Sequence, residues 1–167
     1  DVGFRTPTGD IYGRVTFESG QAVSGAKVSA ESTDGSGVPG KSYVFSGASN
    51  LTVDNDQLLK DATQAVTLQA WVRPTAEGTI IEKQGMYKLA YNDKKIEFTV
   101  GSQTLKTPKK LSDYASASQF VHLSAVASDI YLIIYINGLA VAEAERTAQI
   151  TGNNNKVVMG EGFEGAI

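Results

Sequence analysis

Four side chains in this sequence combine ring chemistry with strand spacing: Trp71, His122, Tyr131 and Tyr135. Along Val66-Thr67-Leu68-Gln69-Ala70-Trp71-Val72-Arg73, the apolar Val66, Leu68, Ala70 and Val72 alternate with Gln69, Trp71 and Arg73. A period of two sends successive side chains to opposite faces of a strand. By the same rule Val121, Leu123 and Ala125 face a core and leave His122 on the other side. Leu132, Ile134 and Ile136 likewise leave Tyr131, Ile133 and Tyr135 outward. The four rings therefore fall on one broad sheet face. Aromatic faces stack on the apolar C–H faces of pyranoses while neighbouring polar groups meet the hydroxyls. Ile133, apolar between two tyrosines, argues instead for a face covered by loops or by an N-terminal hairpin. Packing is the expectation and a sugar platform the alternative.

Other chemistries find less support. His122 is the only histidine, so no second imidazole is at hand for a metal, and no carboxylate and hydroxyl are placed to form a triad with it. A structural, hydrogen-bonded histidine is expected. Glu143-Ala144-Glu145-Arg146 alternates two carboxylates on one strand, whereas a retaining glycosidase holds its two carboxyls about 5–5.5 Å apart. These four residues read as a solvated strand end. With no cysteine in 167 residues, thiolate nucleophiles, sulfur metal sites and disulfides are all excluded.

The elements that must position the rings are strands. Thr, Val, Ile, Tyr and Phe alternate with polar residues, and Gly, Asn and Asp punctuate them. Strands are predicted over 11–17, 27–31, 42–45, 66–73, 78–83, 87–91, 95–100, 120–126, 131–136, 139–145 and 157–159. Asn137-Gly138 between apolar runs signals a two-residue hairpin, since both central residues of a type I′ turn need positive φ. Asn92-Asp93 reads as another hairpin turn, and 56–63 offers one helical turn at most. So many short strands mean an all-β sandwich or jelly roll.

Composition bounds the partners. A net charge of −3 gives no basic footprint for nucleic acid. The longest apolar run, Ile130 to Ile136, is strand-sized and far short of a membrane span. The N-terminus, Asp1-Val2-Gly3-Phe4, carries neither a basic nor an apolar leader region, as expected of a processed chain or an internal piece. Asp34-Gly35-Ser36-Gly37-Val38-Pro39-Gly40 suits a linker. It divides an N-terminal β-hairpin segment, 1–36, from a main domain, 37–167.

From Lys41 onward the chain resembles the laminin-G-like, concanavalin A-like lectin/glucanase jelly roll. Tyr43-Val44-Phe45-Ser46-Gly47 with Leu51-Thr52-Val53 resembles the opening strand and turn. Val66 to Pro74 resembles the Trp-bearing second strand, and Gly78-Thr79-Ile80-Ile81-Glu82-Lys83 follows in order. The Asn137-Gly138 hairpin comes next, after a strand that opens with Phe120 where the family usually has Trp. Met159-Gly160-Glu161-Gly162-Phe163-Glu164-Gly165-Ala166-Ile167 resembles the closing glycine-rich strand. The family pattern continues with an acidic pair and a further strand, so the domain is expected to be truncated at its C-terminal end. A second, shorter resemblance, over Gly13-Arg14-Val15 and Gly20 to Val28, is to carboxypeptidase-regulatory-like, transthyretin-like β-sandwich modules. Two strands and a turn are marginal alone, so this hairpin is expected to pack on the jelly roll or to join strands beyond residue 167.

The resemblance implies a non-catalytic binding module of a secreted or cell-surface bacterial protein. Its partners would be a glycan or protein ligand and the other domains of a larger parent. A structural or adhesin scaffold without a ligand site is the alternative, and a vestigial glycoside-hydrolase-related domain is third. Laminarinase-type hydrolases of this fold use carboxylates alternating on one strand; Glu143 and Glu145 lack the third acid and flanking aromatics of that pattern. No cofactor is required. Loop-held Ca2+ is common in the fold, and Asp54 and Asp56, with Glu164 from a second strand, are the best candidates for a structural Ca2+. Asn50-Leu51-Thr52 fits a glycosylation sequon, relevant only in a eukaryotic host.

Overall fold

The period-two stretches close into two stacked antiparallel sheets. The computed structural model describes residues 42–54, 57–60, 62–116 and 118–167. The N-terminal hairpin, its transthyretin-like resemblance and the proposed 36/37 boundary lie outside these. In chain order the elements are β1 (Val44–Ser46), β2 (Leu51–Val53), α1 (Gln57–Lys60), β3 (Val66–Ala76), β4 (Gly78–Lys83), β5 (Tyr87–Asn92) and β6 (Lys95–Val100). Then follow β7 (Gln103–Lys106), a 3-10 turn (Leu111–Asp113), β8 (Val121–Ala127), β9 (Tyr131–Ile136), β10 (Leu139–Glu145), β11 (Val157–Met159) and β12 (Glu164–Ala166). The first sheet runs β1-β12-β3-β8-β9-β10 and the second β2-β11-β4-β5-β6-β7. This is a jelly-roll β-sandwich, as the alternation and the resemblance imply.

The inner faces supply the core. Leu68, Val72, Leu123, Ala125, Leu132 and Ile134 from the first sheet meet Ile80, Leu89, Ile96, Phe98 and Val100 from the second, all buried. Removing such side chains from water is the main stabilising term, at roughly 1.5–3 kcal/mol for each large one. Lys83 is also fully buried, where the sequence reading shows only a strand end. Its ammonium donates to the Asn155 carbonyl.

Met159 to Ile167 is not one strand. β11 belongs to the second sheet and β12 to the first, so the chain crosses the sandwich between them. Phe163 anchors the crossing, fully buried and edge-on to Phe45 with centroids 6.3 Å apart. Gly160 makes it feasible: its φ is +80°, and a Cβ there would stand 2.1 Å from the Phe45 ring. β3 outruns its expected end at Arg73 and carries Pro74 inside it. Pairing with β8 ends at Val72, so the missing Pro74 N–H breaks no bond to β8; on the other side Pro74 stands opposite Gly165, next to the register shift of β12.

The hairpins behave as their residues dictate. Asn137 and Gly138 adopt φ of +50° and +81°. Asn137 also does something the sequence does not announce. Its Oδ1 accepts the His122 N–H at 3.0 Å and its N–H donates to the His122 carbonyl at 2.8 Å, extending the β8–β9 ladder past Ile136. The β5–β6 turn is Asp93-Lys94 rather than the expected Asn92-Asp93, because Asn92 stays in β5 paired with Lys95; both turn residues take positive φ without a glycine. At one side of the sandwich the Gln103 amide ties β7 to the end of β10, donating to the Glu145 carbonyl at 2.8 Å and accepting the Thr147 N–H at 2.8 Å.

Candidate ring-bearing sheet face

The outward residues of β3, β8, β9 and β10 build the site. Trp71 of β3 stands opposite His122 of β8, and the two rings lie 5.1 Å apart, tilted by 53°. The hydrogen bonds at His122 are made by its backbone. Its imidazole packs against the indole, where a hydrogen-bonded side chain was expected. One pair further along, Gln69, Ser124 and Tyr135 align across three strands. Val126 and Ile133 form the next row, and Glu143 of β10 continues it. Tyr131 sits beyond them, paired with Glu145.

The rings differ in exposure. Trp71 is 47% exposed and Tyr131 44%, whereas Ile133 and Tyr135 are half-buried. The structure thus places all four candidates on one face, Trp71 in contact with His122 and the tyrosines on β9. It also adds two residues. Arg73 holds its guanidinium over the Phe120 ring, 5.2 Å from the centroid, just past the Trp71–His122 pair. The signal was in the alternation: Arg73 shares the parity of Trp71, and Phe120 that of His122.

The carboxylate candidates stand apart. Glu143 and Glu145 are exposed on the edge strand β10, as a solvated strand end should be. Arg146 departs from that reading. Its guanidinium donates to the carbonyls of Ser128 and Ala148, each at 2.8 Å, and to that of Gln64, so it clamps three chain segments beside a depression of about 460 Å³.

Of the metal candidates, Asp56 lies outside the described residues. Asp54 is exposed and paired with Lys156 at 2.8 Å. The hydrogen bond and charge of that ammonium hold its carboxyl below the ordinary carboxylate value. Glu164 is on β12, in the other sheet, with a carboxylate oxygen beside Gly47. Among the described residues no group of three or more His, Asp or Glu side chains gathers as a metal would require.

The family comparison covers both sheets. A laminin-G model described as the concanavalin A-like lectin/glucanases superfamily matches residues 45–166. The chain belongs to this superfamily. The match begins in β1 and closes in β12, so it includes the whole ring-bearing face. No curated protein matches the chain. Among solved structures, mouse laminin alpha1 chain, domains LG4-5, aligns at TM-score 0.57 and 15% identity, over 71% of this chain and 33% of that one. A crystal structure of a mutant HCR/D aligns at TM-score 0.48 and 16% identity, over 70% and 33%. This superfamily member spans about a third of the length of each of these two structures, and at 15% identity the likeness to the laminin domains is one of fold. Among the described residues no helix is long and apolar enough to cross a membrane.

Proposed function

We propose that this superfamily domain is a non-catalytic glycan-binding module of a secreted or cell-surface bacterial protein, and that the outer face of its first sheet is the binding surface. One observation carries the reading: Trp71 is half exposed on the outer sheet face, braced by His122, with Gln69 and Arg73 on the same side of its strand and Tyr135 two strands away. The half of the indole left in water offers a flat surface for a sugar ring. Laminin-G-like domains are generally non-catalytic binding modules and typically extracellular, which supports the class and location. The absence of cysteine fits an exported bacterial chain that relies on its core.

A scaffold reading keeps one specific support, the half-burial of Ile133 and Tyr135, which makes part of the face self-packed. A glycan array separates the two. The wild-type protein is expected to bind at least one glycan class, and Trp71→Ala with Tyr135→Ala to abolish the signal while the protein stays folded. No binding by wild type overturns the glycan reading.

A further inference from the structure

Resting on that reading of the face, we propose that its ligand is an uncharged glycan chain, read along its length over about five sugars. The chain would cross the sheet obliquely from Trp71 past Tyr135 to Tyr131. Register alone sets the path. Gln69, Ser124 and Tyr135 share a row, and Trp71 lies one outward position further along β3. Strands spaced by about 4.8 Å and a rise of about 3.3 Å per residue put Tyr135 roughly 12 Å from Trp71. Tyr131, four residues back along β9, lies roughly 13 Å beyond. Each sugar advances a chain by roughly one strand spacing, so about five units cover the distance. Between the rings lie buried Ser124 and half-buried Val126 and Ile133. Exposed Thr67 and Gln69 flank it with polar groups for the hydroxyls. Such a face holds the body of a chain, whereas a terminal sugar is held by an enclosing pocket.

Charge selects the class of chain. Arg73 stands at the Trp71 end. Glu143 and Glu145 stand at the other, in register with Ile133 and Tyr131, and among the described residues neither carboxylate has a cationic partner. A polyanionic chain gains Arg73 at one end but meets two carboxylates at the other, a net repulsion that an uncharged chain avoids.

The test is titration calorimetry of the 167-residue protein at low salt. The probes are neutral gluco-, xylo- and manno-oligosaccharide ladders of two to eight units and an oligogalacturonide ladder, two to eight being bracketed about the five-unit path. For a neutral ladder that binds, affinity is expected to climb until about five units and then level off. Tyr131→Ala should remove about tenfold from the longer members and leave the shortest unchanged. Oligogalacturonides should bind more weakly than neutral chains of equal length, and Glu143→Gln with Glu145→Gln should narrow that gap. Affinity that saturates at one or two units, a Tyr131→Ala ladder identical to wild type, or tighter binding of oligogalacturonides overturns this inference and leaves the glycan reading standing. Failure of every sugar to bind wild type overturns both.

Discussion

The two outer faces of the sandwich are made from the same strand geometry and come out chemically opposite. On the second sheet the polar residues satisfy one another. Glu97 meets Lys106 at 2.7 Å and takes the Asn92 amide at 3.3 Å, Glu82 faces Lys88 at 3.8 Å, and the Thr99 and Thr104 hydroxyls share a hydrogen bond at 2.8 Å. These are cross-strand pairs, the ordinary unit of sheet stabilisation. On the first sheet the outward residues touch ring to ring and cation to ring. A face that closes its own polar groups has little left for a ligand; a face of braced, half-exposed rings still has its stacking surfaces free.

The sharpest way to break the comparison is within one strand. Ile134 is fully buried and its neighbour Tyr135 faces outward. Ile134→Ala should cost about 2–5 kcal/mol by urea denaturation, since it removes buried methyl groups and leaves a cavity. Tyr135→Ala should cost under about 1.5 kcal/mol, near the centre of the range for point changes. Equal losses would mean that the ring-bearing face is core.

Trp71→Ala tests the face itself. Sugar binding should fall at least about tenfold, a loss of roughly 1.4 kcal/mol. The urea midpoint should move less than it does for Ile134→Ala, because about half of Trp71 already lies in water whereas Ile134 is fully buried. A large stability loss with binding intact would assign Trp71 to the fold.

How much of this was legible follows from which forces act locally. β8 and β9 were readable residue by residue, because one face is buried and the period of two leaves no slack: Leu123 and Ile134 fall inward, His122 and Tyr135 outward. The β9–β10 hairpin was readable because Asn137-Gly138 carries its own turn chemistry; the β5–β6 turn was placed one residue early, because the pairing of Asn92 with Lys95 moves it to Asp93-Lys94. The crossing from β11 to β12 was not, since nothing local in Gly160-Glu161-Gly162-Phe163 reveals that Phe45 will cover Gly160. β7 was also missed; Gln103-Thr104-Leu105-Lys106 is half polar, and its pairing with β6 decides it. At the site the ring parity was legible, but the contact of Trp71 with His122 depends on the β3–β8 register. Arg146 is the clearest limit. It reads as the charged end of a strand, and only the fold brings the Gln64 and Ser128 carbonyls to it.

On the second sheet the comparison can be sharpened by relieving backbone strain. Lys94 sits at φ +59° in the β5–β6 turn, a conformation that costs a side-chain-bearing residue and is free to glycine. Lys94→Gly should raise stability by about 0.5–1 kcal/mol, read as a higher urea midpoint with unchanged slope. Sugar binding should not change, because the turn belongs to the self-satisfied sheet. A loss of binding would connect the two faces in a way their chemistry does not suggest.

The smallest effects belong to the exposed ion pairs of that sheet, and their pH dependence has a definite sign. The hydrogen bond and charge of Glu97 raise Lys106 above the ordinary lysine value of 10.5, so its contribution is full below that value and fades as pH rises through the folded-state one. Lys156 lowers Asp54 from 3.8, so that pair contributes above the ordinary carboxylate value and fades as pH falls through the folded-state one. Between these limits both pairs stand; the Asp54–Lys156 pair is solvent-screened on both sides, whereas the Glu97 carboxylate is mostly buried. Lys156→Ala should therefore shift the thermal midpoint at neutral pH by less than Lys94→Gly does. The Lys156→Ala difference should close in acid, once Asp54 is protonated in both proteins, and shrink as salt is added. A shift that grows in acid, or that salt leaves unchanged, would mean that the pair is a buried element of the fold and that the second face is less solvated than its ladder of charges implies.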